Sequence, residues 1–388
     1  TYKIGNLCSI SSSKRIFAKE YQSSGIPFFR GKEIIEKQKG ESVSTELYIS
    51  KSRYDEIKNK FGVPKEGDML LTSVGTLGIP YIVKNETFYF KDGNLTWFTD
   101  FKEINSKFLY YWFLSPIAKN AINAKAIGST QKALTIDALS KFEIDIPNID
   151  TQNRIVSILS SLDSKIELNR RINDNLEQQA QAWLNELLDR YANSTTVLIH
   201  EIAEINPKRN LSKGTSAKCI EMANLPTTGS FPNGWIEKEY NGGMKFCNGD
   251  TLIARITPCL ENGKTAFINF LDKNEIAYGS TEYIVISAKS NYSSSFFYFL
   301  ARNHDFVDYA VKNMNGSSGR QRVSGDTISK YRIPVIPREK LESFTNHAEI
   351  ALKTIKNNSL QNMRLSMTRD ALLPKLMSGE LKVNDLNS

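Results

Sequence analysis

The chain has 388 residues, 40% of them hydrophobic, which is room for two or three domains with sizeable cores. Lys and Arg total 50 against 42 Asp and Glu, a formal charge of +8 that suits a polyanionic partner. Cys8, Cys219, Cys247 and Cys259 form no C-x-x-C pair, His200, His304 and His347 are dispersed, and no apolar run approaches the roughly 20 residues of a membrane span, so a disulfide framework, a local metal site and a bilayer segment are not expected. The expectation is a soluble, cytoplasmic protein with no membrane partner.

Taken in chain order, residues 1–148 read as a mixed α/β head. Leu70-Leu71-Thr72-Ser73 and Tyr81-Ile82-Val83 have strand composition, and Ser106 to Leu114 reads as an aromatic-rich helix. Pro147 and Asp150-Thr151 then suit a helix start. Over residues 149–196, Ile155, Leu159, Leu162, Ile166, Asn169, Asn173, Leu176, Ala180, Trp183 and Leu187 alternate in steps of four and three, a coiled-coil seam. Unbroken from Ile155 to Leu187, such a helix spans about 50 Å at 1.5 Å per residue. Residues 197–337 read as a second head, with a strand at Tyr283-Ile284-Val285-Ile286 and an aromatic helix from Ser294 to Arg302. Residues 338–388 return to helix after Pro337. Phe344, Ala348, Ala351, Ile355, Asn358, Asn362, Leu365 and Leu372 repeat the seam, Arg369 interrupts it, and Pro374 is expected to end the helix.

The two halves share one plan. Gly67-Asp68-Met69-Leu70-Leu71 echoes Gly249-Asp250-Thr251-Leu252-Ile253, and Phe108-Leu109-Tyr110-Tyr111 echoes Phe296-Phe297-Tyr298-Phe299. Leu139-Ser140-Lys141-Phe142-Glu143-Ile144 echoes Ile328-Ser329-Lys330-Tyr331-Arg332-Ile333, and the seam asparagines repeat as Asn169 and Asn173, then Asn358 and Asn362. One stripe per half cannot be buried alone, so the two helices are expected to pair antiparallel. The net charge is +5 in residues 1–148 and +3 in residues 197–337, while the two helical stretches together sum to zero. The basic excess lies in the heads, as phosphate contact would require. The expected fold class is α+β: two mixed α/β heads separated by two long helices packed as an antiparallel coiled coil, with an internal pseudo-two-fold repeat.

The stretch Thr151-Gln152-Asn153-Arg154-Ile155-Val156-Ser157-Ile158-Leu159 closely resembles the central helical region of type I restriction–modification specificity subunits. The tail Leu372-Leu373-Pro374-Lys375-Leu376-Met377-Ser378-Gly379-Glu380-Leu381 resembles that family's ending, and Ile202-Ala203-Glu204-Ile205-Asn206-Pro207-Lys208 its opening of a second recognition domain. The resemblance implies that 1–148 and 197–337 are target recognition domains. Each would read one half of a split, asymmetric site in double-stranded DNA. It implies that the helices set the gap and dock two modification (methyltransferase) subunits, which restriction (endonuclease and translocase) subunits join. It further implies that this chain binds no cofactor, with S-adenosylmethionine, ATP and Mg on the partner subunits. The alternatives are the equivalent subunit of another bipartite methyltransferase–nuclease system and a structural coiled-coil adaptor.

Base edges are read by Arg, Lys, Asn, Gln and small hydroxyls, and phosphates by Lys, Arg, Ser and Thr. The candidate DNA-binding residues are therefore Arg30 and Lys32 in Phe29-Arg30-Gly31-Lys32; Ser73 and Thr76; Thr130, Gln131 and Lys132; Arg255 and Thr257; and Arg320, Gln321 and Arg322. For each cluster the alternative is an ordinary solvated turn, and Arg30 can instead brace the fold. Lys14-Arg15 and Lys208-Arg209 read as solvated charges, and the aromatic helices as core rather than base-stacking platforms. Catalytic motifs are wanting. Asn262-Gly263-Lys264-Thr265 lacks the upstream Gly of a phosphate loop, position 258 being Pro, and Asn206-Pro207-Lys208-Arg209 lacks the second Pro and the aromatic of an amino-methyltransferase motif.

Overall fold

The computed structural model describes residues 1–40, 43–126, 132–289, 292–317 and 319–383. It divides into two units, Thr1–Glu167 with Arg364–Ser388, and Leu168–Met363.

In the first unit a four-stranded antiparallel sheet runs in the order Ser9–Ser11, Leu95–Thr99, Met69–Thr72, Pro80–Ile82. Met69–Thr72 is buried along its whole length, as expected for a short, nearly unbroken apolar run. A second sheet has the order Tyr21–Gln22, Tyr48–Ile49, Ile26–Phe29, Tyr89–Phe90, its last two strands parallel. Tyr2–Lys3 pairs antiparallel with Glu143–Ile144, so the chain enters and leaves this head at one place. The helix Ser106–Leu114 is capped by the Asn105 side chain, which accepts the Lys107 N–H at 2.8 Å. It buries Phe108, Leu109, Tyr111, Trp112 and Phe113 against Ile155, Val156 and Leu159 of one long helix and Leu373, Leu376 and Met377 of the other.

The second unit repeats this architecture. Its antiparallel sheet has the order Ala203–Ile205, Tyr283–Ala288, Thr251–Ala254, Thr265–Phe267. Its other sheet runs Ile236–Glu239, Ser216–Ile220, Ala277–Gly279, Met244–Phe246, with Ser216–Ile220 and Ala277–Gly279 parallel. Thr196–Leu198 pairs with Arg332–Pro334 to close the head. The helix Ser294–Ala301 buries Phe296, Phe297, Tyr298 and Phe299, so both aromatic helices are core elements. The heads differ at their second sheets. The first inserts helices Gly31–Lys39 and Lys51–Phe61; the second has a single short turn of 3-10 helix at Met222–Asn224 and an exposed strand at Ile236–Glu239.

The long helices are Ile149–Arg190 and Arg338–Ser378. The first starts at Asn148, whose Oδ1 accepts the Thr151 N–H at 2.9 Å. One turn on, the buried Gln152 donates to the carbonyls of Glu103 and Pro147 and accepts from the Asn105 N–H, each at 2.9 Å. Within each unit the helices run antiparallel. In the second unit Asn169 Nδ2 donates to Asn362 Oδ1 and Gln361 Oε1, both at 2.8 Å, while Asn358 Nδ2 donates to Asn173 Oδ1 at 2.8 Å. Each asparagine thus meets the repeat counterpart of its neighbour. In the first unit Arg369 Nη1 donates to Asp163 Oδ1 at 2.8 Å, and Tyr111 donates its hydroxyl to the same carboxylate at 2.6 Å. The repeat positions of Arg369 and Asp163 in the second unit are Ala180 and Leu352, both buried and apolar. The seam interruption at Arg369 is therefore half of an ion pair anchored to the head. Of the seam residues, Leu159, Ile166, Asn169, Ala351 and Ile355 are buried, and Leu162, Asn173, Leu176, Asn358, Asn362 and Leu365 half-buried.

One expectation is corrected. Pro374 does not end the second helix, which continues to Ser378. Pro374 forfeits one backbone bond, but Leu373, Leu376 and Met377 are buried in the first unit's core and hold the last turn. Termination falls to Gly379, at φ +75°.

Candidate nucleic-acid interface

The same backbone frame is built at one end of the central strand in each unit. In the first, Met69–Thr72 runs out into Ser73, whose N–H donates to Asn94 O at 2.8 Å. Leu134 N–H donates to Ser73 O at 2.9 Å and Gly75 N–H to Lys132 O at 3.1 Å, so Val74 and Ala133 lie opposite each other. In the second, Arg255 N–H donates to Glu282 O at 3.0 Å, Val323 N–H to Arg255 O at 2.9 Å and Thr257 N–H to Gln321 O at 3.1 Å, with Ile256 opposite Arg322. Bond for bond, Ser73, Asn94, Lys132 and Ala133 correspond to Arg255, Glu282, Gln321 and Arg322. Candidate clusters far apart in sequence are thereby joined into one surface per unit.

The side chains on this shared frame differ. In the first unit Ser73 is buried, with its hydroxyl engaged by Thr96 Oγ1 and the Leu71 carbonyl, so it is withdrawn from the surface; Thr76 and Lys132 are exposed. Thr130 and Gln131 lie outside the described residues. Arg30 and Lys32 flank Gly31, where a Cβ would sit 3.9 Å from Thr72 Cγ2, so the start of helix Gly31–Lys39 adjoins the frame. Arg30 is a brace: its Nη2 donates to Glu33 Oε1, and its backbone N–H to Glu33 Oε2, each at 2.7 Å. Burial works to raise the Glu33 carboxyl, but the bonds from Arg30 outweigh it and hold the group below its ordinary range. Lys32 is exposed, with Glu36 at 3.7 Å.

In the second unit Arg322 clasps Glu282 through Nε, at 2.9 Å from both carboxylate oxygens, and through Nη2, at 2.7 Å from Oε1. These bonds hold the Glu282 carboxyl below its ordinary range. Arg255 approaches the same carboxylate at 3.9 Å, and among the described residues its Nε has no hydrogen-bond partner. Thr257 Oγ1 donates to Gln321 O at 3.1 Å, tying the two segments together. Arg320 is exposed and Gln321 half-buried.

Asn94 and Glu282 were not among the sequence candidates. The available signal is weak: each directly precedes the strand that borders the central one. In the other basic pairs Lys208 is exposed and the remaining three residues are braced. Arg15 Nε donates to Asp92 at 2.9 Å, Lys14 lies 4.5 Å over the Phe61 ring, and Arg209 is paired with the buried Asp250. Lys264 donates to the Met222 carbonyl at 2.6 Å, and Asn206 exchanges two hydrogen bonds with the Val285 backbone, so both near-motifs serve the fold. Among the described residues there is no group of three or more metal-ligating side chains, and no helix long and apolar enough to cross a membrane.

Residues 1–178 match the family model of the type I restriction modification DNA specificity domain. A candidate type I restriction enzyme specificity subunit of Haemophilus influenzae is 35% identical over 42% of this chain, an alignment that spans only 40% of that relative. The MjaIX specificity subunit of Methanocaldococcus jannaschii is 26% identical over 95% of this chain and 89% of its own length. In fold, the chain resembles the type I restriction–modification S subunit from M. genitalium, with TM-score 0.58, 16% identity, and 97% and 95% of the two chains covered. The likeness covers both heads and the long helices, so the two-headed fold is shared. Over nearly its whole length the chain is thus similar to type I restriction enzyme specificity subunits, and residues 1–178 match their DNA specificity domain.

Proposed function

We propose that this subunit directs a type I restriction–modification complex to DNA, each head reading one half of a bipartite asymmetric site. The observation that carries this reading is the pair of matched backbone frames bearing unlike side chains. One scaffold used twice with different contents suits two different half-sites. The basic excess of both heads supplies the phosphate attraction. The long helices set the gap between half-sites and dock two modification subunits, to which restriction subunits are added. Chemistry belongs to those partners, which bring S-adenosylmethionine, ATP and Mg, while this chain contributes no cofactor site.

The test is methylation mapping in cells that express the chain with its genomic partners. Adenine methylation at one split, non-palindromic sequence is the expected result. Unmethylated DNA despite expressed partners, or methylation at an unsplit palindrome, would refute the reading.

A further inference from the structure

We propose that the second head reads a guanine in its half-site with Arg322, and that Glu282 is the positioning residue that aims it. The proposal rests on the DNA-reading function above and assigns a base to one side chain.

The argument is a donor count. A guanidinium has five N–H groups in a fixed plane. Glu282 takes the one on Nε and one on Nη2, and the Arg320 carbonyl accepts one from Nη1 at 3.0 Å. Two are left among the described residues, one on each Nη. Guanine offers two acceptors, O6 and N7, on its major-groove edge, and a bidentate arginine satisfies both. Arg322 is 39% exposed, open enough to meet a ligand while still clasped from behind. The clasp fixes a side chain that would otherwise lose rotamer freedom on binding. Arg255, with unsatisfied donor capacity beside the same carboxylate, leaves the cluster one positive charge in excess, which favours an electronegative base edge. The first head holds Ala133 and Asn94 at the matching positions and cannot make this contact.

The experiment uses the full chain assembled with its modification partners, and an oligonucleotide carrying the mapped site. Each guanine in the second half-site is replaced in turn by 7-deazaguanine, which lacks the N7 acceptor, and separately each G·C pair by A·T. For the wild type, one position is expected to lose affinity by roughly 5- to 150-fold on the G·C to A·T change, with a smaller loss for 7-deazaguanine. Arg322→Ala should bind both versions of that position equally well, within about twofold, with every other position still discriminated. Glu282→Gln should weaken discrimination at the same position alone, which a merely structural role would not do. The proposal is overturned if no second-half guanine responds to 7-deazaguanine in the wild type, an outcome that stands even if Arg322→Ala fails to fold. It is overturned too if Arg322→Ala keeps full discrimination. A wild-type complex that selects no defined site would instead sink the parent reading, and this proposal with it.

Discussion

Replacing Asn169 and Asn362 by leucine, singly and together, tests the polar layer of the second unit's helix pair. Asn169 is fully buried, donates to Asn362 and Gln361 at 2.8 Å, and leaves its own Oδ1 without a partner among the described residues. Asn169→Leu exchanges an under-satisfied amide for apolar burial but removes a donor from Asn362 Oδ1 and Gln361 Oε1, a penalty of about 1–3 kcal/mol that roughly cancels the gain. Asn362→Leu leaves the buried Asn169 amide further unpaired and should cost a similar ~1–3 kcal/mol. With both replaced neither end of their shared bond is left behind, and Gln361, which is exposed, can turn to water, so the double variant should exceed the sum of the singles by about 1–3 kcal/mol. Urea unfolding of the full chain, followed by circular dichroism at constant m-value, measures this coupling. Asn169→Leu with Asn358→Leu serves as control, since those residues share no hydrogen bond, and should be additive within about 0.5 kcal/mol. Additivity in the Asn169–Asn362 cycle would refute the assignment of a shared bond.

Other consequences can be measured in the same way. Gln152→Ala strands two carbonyls and an N–H around the start of the first long helix and should cost about 2–4 kcal/mol in the same urea titration; a loss below about 0.5 kcal/mol would mean water replaces the amide. Glu33 is held below the ordinary carboxylate value of 4.5, so its contribution to stability is complete above that pH and is lost as pH falls through the lowered folded value. Glu33→Gln should therefore flatten the acid limb of a stability–pH curve, and an unchanged limb would contradict the Arg30 clasp. Inserting seven residues into each long helix, after Leu176 and before Ile355, adds about 10 Å at 1.5 Å per residue. Methylation mapping should then show a gap longer by about three base pairs at 3.4 Å each, and an unchanged gap would refute the spacing role.

The elements with short-range causes were legible in the sequence. The seam follows from residue spacing, the aromatic helices from composition, and the repeat from matched segments such as Gly67–Leu71 and Gly249–Ile253. Arg369 was legible only as a break, because its partner Asp163, which Tyr111 also meets, comes from the other long helix. The rule that proline stops a helix failed at Pro374 because tertiary burial of the flanking leucines and methionine overrides it. The joining of Ser73–Thr76 to Lys132, and of Arg255–Thr257 to Arg320–Arg322, depends on backbone bonds across more than fifty residues, which no local pattern encodes. Glu282 was missed for the same reason: an acid before a strand has no meaning until Arg322 is brought to it.

The short strands that close each head bear on how such a protein changes over generations. Because Thr196–Leu198 pairs with Arg332–Pro334, the second head is tied to its helices through two adjacent lengths of backbone, and the pairing of Tyr2–Lys3 with Glu143–Ile144 brings the two ends of the first head together in the same way. A crossover at those strands trades an entire head while breaking only two or three backbone pairs, and leaves the packing of its aromatic helix on the long helices to be matched. The backbone bonds there carry no side-chain message, so a foreign head whose aromatic helix fits the same core can be accepted intact. Under the DNA-reading function proposed above, a lineage can thus acquire a new DNA preference in one step, without passing through intermediates that read nothing.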